Sequence, residues 1–123
     1  MKIFHVGDTH WSNKRLDDKI QSAARLTDHA HSIAPDLIIH AGDLFDAPIR
    51  MEEPGALASM RWMSEMRNIA PIILVRGNPS HDRDSVELTR FVKGDNDLVL
   101  SKSRTSLVFG SRSRTLARIC HSL

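Results

Sequence analysis

Leu37-Ile38-Ile39-His40-Ala41-Gly42-Asp43-Leu44-Phe45-Asp46 runs from an unbroken apolar stretch directly into a Gly-Asp turn. The stretch lacks polar alternation, which marks a strand covered on both faces rather than one with a wet side. Gly42 and Asp43, taken alone, signal no more than a turn. The same pattern occurs twice more. Lys2–Gly7, with Ile3, Phe4 and Val6, leads into Asp8-Thr9-His10. Ile72-Ile73-Leu74-Val75 leads into Gly77-Asn78-Pro79-Ser80-His81-Asp82.

Between these strands the apolar period changes from two to 3.6. Leu16, Ile20, Ala23, Ala24, Thr27, Ala30 and Ile33 predict a helix over Leu16–Ile33, with Asp17 and Asp18 suited to its N-terminal dipole and Pro35 ending it. A second helix is expected from about Glu52-Glu53-Pro54 to Ile69, its methionines serving as flexible core filler. Asp84–Lys93 reads as a shorter helix, and Asp97–Leu100 and Leu107–Phe109 as weak strands. The order β-α-β-α-β-α requires parallel strands and right-handed crossovers, hence an α/β sheet with helices on its faces. Ligands of such sheets bind beyond the carboxyl ends of the strands, where all three polar segments lie.

Composition narrows the class. The chain has 123 residues, 41% of them hydrophobic, enough for one core and too few for two. No apolar stretch approaches the roughly 20 residues of a membrane span. No secretion signal is evident, and one cysteine, Cys120, points to a reducing, cytoplasmic setting. All 15 acidic residues lie within residues 1–100, whereas residues 101–123 carry only the bases Lys102, Arg104, Arg112, Arg114 and Arg118. The expected division is therefore a folded part over 1–100 and a basic Ser/Arg-rich tail over 101–123. The tail reads either as a disordered, solvated end or as a contact for nucleic-acid phosphate.

The three polar segments carry the chemistry. Asp8 and His10, two apart at a strand end, would point to one side of an extended backbone and could share an ion. Mixed Asp, His and Asn donors suit Mn²⁺, Fe²⁺ or Zn²⁺ better than Ca²⁺. Asp43 has two oxygens and could bridge two ions, about 3.5–4 Å apart in two-metal sites. Asn78 offers an amide oxygen, and His81 could give a proton to a leaving oxygen or stabilise phosphoryl charge. Asp82 would either orient the His81 ring or, like Asp84, cap the following helix. His5 and His40, inside strands, read as core or supporting histidines.

Asp8-x-His10, Gly42-Asp43-x-x-Asp46 and Gly77-Asn78-…-His81-Asp82 resemble the first three motifs of the calcineurin-like metallophosphoesterases. Asp-Thr-His-Trp and Ala-Gly-Asp-Leu-Phe-Asp are most similar to SbcD-type DNA repair exonuclease subunits. The resemblance covers residues 1 to about 93. It implies that Asp8 and His10 bind a first metal, Asp43 bridges, Asn78 binds a second and His81 assists catalysis. It further implies Mn²⁺ as cofactor, DNA as substrate, in-line attack on a phosphodiester, and an SbcC-type coiled-coil ATPase as partner.

The pattern departs from the family in two places. Pro79 and Ser80 interrupt the usual Gly-Asn-His-Asp, so either Asn78 stays the ligand on a bulged loop or Ser80 or His81 takes its place. Only His121 follows His81, where the family has a Gly-His-x-His segment. The expectation is thus the N-terminal portion of the fold, its second half missing and its second metal site incomplete. The readings that compete with a nuclease are a non-catalytic remnant that binds metal, DNA or a partner, and a phosphomonoesterase or protein phosphatase.

Overall fold

The computed structural model describes residues 1–101, 106–109 and 116–119. Four strands, β1 (Ile3–Val6), β2 (Leu37–His40), β3 (Ile72–Val75) and β4 (Leu98–Ser101), form one sheet in the order β1-β2-β3-β4. Every pairing is parallel, with Phe4 beside Ile38, Ile38 beside Ile72, and Ile72 beside Leu98. Helix α1 (Leu16–Ile33) joins β1 to β2, and α2 (Pro54–Ile69) joins β2 to β3. The fold is α/β, a four-stranded parallel sheet with flanking helices. Strands β5 (Ser106–Phe109) and β6 (Leu116–Ile119) pair antiparallel with each other. The expectation of a disordered tail otherwise falls on residues outside those described.

The helices form where their small and apolar residues recur. Ala23, Thr27 and Ala30 are the buried stripe of α1, and the Thr27 hydroxyl donates back to the Ala23 carbonyl at 3.0 Å. Ala34, in left-handed geometry at φ 49°, closes the helix before Pro35. In α2 the stripe is Ala56, Ser59, Met63 and Met66, with Trp62 beside it. Met63 and Met66 are buried, as core filler should be. Gly55 admits the first turn of α2 against the β1–α1 loop, since a Cβ there would meet the Ser12 carbonyl carbon at 2.6 Å. Asn13 of that loop accepts from the Gly55 N–H at 2.9 Å, satisfying a donor that no N-cap side chain reaches.

Two expectations are corrected. Helices do not cover both faces. Phe4, Ile38, Ile72 and Leu74 share one core with Ala23, Ala30, Trp62 and Met66, so both helices lie on one side. The physical cause is the strand order: successive crossovers of one hand in one direction leave every helix on the same face. The opposite face carries Ile3, 46% exposed, Val75, 38% exposed, and the half-buried Ile39, Ile73 and Val99. The third helix, Ser85–Phe91, is 3₁₀ rather than α, within the span expected for it. Asp84 sits at its N-cap without a side-chain capping bond, and its Oδ1 instead accepts from Arg76 Nη2 at 3.2 Å.

Candidate metal centre

Parallel strands in register bring the loops after β1, β2 and β3 to one edge. The first two loops continue side by side beyond their strands: Asp8 N–H donates to the Gly42 carbonyl at 3.0 Å, Trp11 N–H to Leu44 at 2.8 Å and Asp46 N–H to Trp11 at 3.0 Å. Leu44 and Phe45 turn inward and are fully buried. Asp43 and Asp46, on either side of them, are left toward the loop cluster.

Asp8, His10 and Asp43 each offer a ligand atom, and these atoms lie within 4.8 Å of one another. A second group, His10, Asp46 and His81, meets the same limit. His10 belongs to both, with Nε2 3.7 Å from Asp8 Oδ1 and Nδ1 3.7 Å from Asp46 Oδ1. The His10 and His81 rings meet edge to face at 4.8 Å. His81 Nδ1–H donates to the Asp46 carbonyl at 2.6 Å, which leaves the Nε2 lone pair facing Asp43 Oδ2 at 4.0 Å.

The backbone reaches this arrangement by an unexpected route. Asp8, His10 and Asp43 have φ of 52°, 48° and 51°, so the first two converge through left-handed turns and not through extended i, i+2 geometry. Each such non-glycine residue stores on the order of 1–3 kcal/mol, a cost typical of functional loops. Gly42, at φ 109°, packs so closely that a Cβ would lie 2.9 Å from Gly77 Cα.

Two buried polar side chains hold the loops in place. Asp82, fully buried, accepts from the Phe45 N–H at 3.1 Å and the Gly77 N–H at 2.6 Å, tying the β2 and β3 loops together. It neither orients the His81 ring nor caps a helix. A buried carboxylate needs donors, and two loop amides supply them. His40 is the matching support on the other side. Its Nδ1 accepts from the Gly42 N–H at 3.3 Å, so Nε2 carries the proton toward Thr9 Oγ1 at 3.0 Å. Thr9 in turn donates to the Leu44 carbonyl at 3.3 Å. Burial above all, and then the neighbouring His5 charge, pushes the His40 pKa down to about 4, against an upward pull from Asp43. His40 is thus a supporting histidine, whereas His5, on an exposed part of β1, is not in the core.

A family model, calcineurin-like phosphoesterase, matches residues 1–116. The chain belongs to that family. No curated protein matches it. The match extends past residue 93, where the motif resemblance ended. Calcineurin-like phosphoesterases are hydrolases that bind divalent metals. The residues of this phosphoesterase fit such ions. Carboxylate and imidazole donors converge, and among the described residues Asp8, Asp43 and Asp46 form ion pairs with histidines alone and His10 Nδ1 is buried without a hydrogen-bond partner.

Asn78 stands at the phosphoesterase site with its amide nitrogen inward, donating to Asp43 Oδ2 at 3.2 Å. Its oxygen accepts from the Ser80 N–H at 3.0 Å and from the Ser80 hydroxyl. Ligation through that oxygen requires the amide to turn and release Ser80. Asp46, quoted in the motif but given no role from sequence, joins the cluster. Its spacing of three from Asp43 across a buried Leu-Phe pair was the available signal.

Proposed function

We propose that this phosphoesterase hydrolyses phosphodiesters with two divalent ions, Mn²⁺ foremost, as an SbcD-type DNA exonuclease subunit in a cytoplasmic setting. The observation that carries the reading is the convergence of Asp8, His10 and Asp43 within 4.8 Å. The motifs Asp-Thr-His-Trp and Ala-Gly-Asp-Leu-Phe-Asp favour the nuclease branch. Asp8 and His10 would hold the first ion, Asp43 would bridge, and Asn78 would reach the second after turning its amide. Bound divalent ions supply an acidified water and neutralise charge on the phosphoryl oxygens.

The protein's own groups do the rest. His81 presents Nε2 to the cluster, and in its imidazolium form it can donate a proton to the leaving oxygen. Asp82 and the His40–Thr9 pair keep the three loops at fixed separation, which in-line attack needs. DNA and an SbcC-type ATPase are the partners proposed, with the basic residues of 101–123 as a phosphate contact.

The test compares bis(p-nitrophenyl) phosphate with p-nitrophenyl phosphate in Mn²⁺. Faster turnover of the diester, abolished by Asp43→Ala, supports the reading. Preference for the monoester would make the protein a phosphomonoesterase. The hold of Ser80 on the Asn78 oxygen favours one alternative, a single-ion, non-catalytic binder. Metal content of one ion per chain with no turnover would establish it.

A further inference from the structure

A cavity of about 570 Å³ opens between the β1–α1 loop, α1 and α2. It borders the metal centre directly, because Asp8 and Asp46 line it. Its volume falls in the range of about 300–1,000 Å³ usual for small-molecule sites. Part of its wall is apolar, with Val6, Ala23 and Leu26 and the largely buried Trp11 and Trp62, and the rest is polar, including Thr9, Ser12 and Asp18. The two indoles lie 5.9 Å apart. Both are buried, and neither indole N–H has a hydrogen-bond partner among the described residues. Lys14, Arg15 and Lys19 stand around the same space. Arg15 is engaged by Asp18 at 2.8 Å, whereas no ion pair to Lys14 or Lys19 occurs among the described residues.

We infer that this cavity is a nucleotide subsite that holds the base and a flanking phosphate of the substrate while the scissile phosphate lies at the metal centre. The inference rests on the phosphoesterase reading and adds to it the place where a nucleotide of the substrate sits. The chemistry matches on three counts. The apolar part of the wall, Val6, Ala23 and Leu26 with the two indoles seated just behind the surface, suits a planar base. Lys14 and Lys19 meet a phosphate. The carboxylates on the shared wall, Asp8 and Asp46, belong to the metal cluster, so bound cations offset their repulsion of an anionic ligand.

The protein contains two tryptophans, and both border the cavity, so intrinsic fluorescence reports its occupancy. AMP, adenosine and inorganic phosphate are titrated into the full chain in EDTA and again in Mg²⁺. A saturable change with AMP in both arms, tighter in Mg²⁺ because cations offset Asp8 and Asp46, binding about tenfold weaker for adenosine, and no change with phosphate are the expected results. Lys14→Ala/Lys19→Ala should weaken AMP about tenfold and leave adenosine unchanged. No saturable response to AMP, or an equal response to phosphate, overturns the subsite. Unaltered AMP affinity in the double variant overturns the role of the lysines. The EDTA arm reads the cavity without turnover, and diester hydrolysis reads the metal centre. Failure of one is therefore distinguishable from failure of the other.

Discussion

Asp82→Ala should damage both stability and metal binding, although Asp82 is not expected to touch an ion. The carboxylate accepts from the Phe45 N–H and the Gly77 N–H in a fully buried position. Alanine leaves both donors without an acceptor, at about 1–3 kcal/mol each. Gly77 is the less buried of the two, so the sum is about 2–5 kcal/mol. That is a large share of the roughly 5–15 kcal/mol that stabilises a domain. Asp82→Asn retains one oxygen and turns an NH₂ group toward the other donor, so it should cost about 1–3 kcal/mol. Urea unfolding followed by circular dichroism measures the loss. With a slope of about 1–3 kcal/mol/M, a 3 kcal/mol loss lowers the midpoint by about 1–3 M. Because Phe45 and Gly77 neighbour the loops of Asp43 and Asn78, Mn²⁺ affinity by calorimetry should also fall about 10–100-fold under conditions where the variant is folded. An Asp82→Ala midpoint within about 0.3 M of wild type would refute the assignment of Asp82 as the tie between these loops.

Acidification should unfold the protein partly through His40. Its folded pKa, about 4, lies below its ordinary 6.5, so the unfolded chain binds the proton first. The stabilisation is whole above about pH 6.5 and fades as the pH falls toward 4, by roughly 3 kcal/mol at most. Urea midpoints against pH should slope through this window in wild type and slope less in His40→Gln. Gly77→Ala would drive a Cβ onto Asp43 and within 2.7 Å of Asp82 Oδ2, so calorimetry should detect Mn²⁺ binding lowered at least tenfold. Saturating Mn²⁺ should stabilise wild type by about 2.7 kcal/mol at a hundred times Kd, and Asp43→Asn by far less, read from melting curves. Asp46→Ala should weaken Mn²⁺ binding without changing the urea midpoint by more than about 0.5 kcal/mol equivalent, since Asp46 is exposed.

Much of the architecture was legible before any fold was known. Helix α1 begins and ends at the residues its period and Pro35 indicate, and β3 coincides with Ile72–Val75. These are local signals, written in neighbours a turn or a pleat apart. Asp8, His10 and Asp43 could be named because each follows a strand. The roles of Asp82 and His40 could not, since their partners lie 37 and 31 residues away in sequence, at Phe45 and Thr9.

Sequence alone determined the element order, the parallel sense of the sheet and which loops would share an edge, because chain connectivity and crossover handedness leave few alternatives. Tertiary structure decided the rest. It set both helices on one face, since that follows from strand order. It drew Asp46 and His81 into the cluster with His10, and it turned the Asn78 amide toward Asp43 through Ser80. It also made a cavity of Trp11 and Trp62, residues 51 apart in the chain. Distances between side chains on separate loops depend on packing across the whole domain, and no local pattern encodes them.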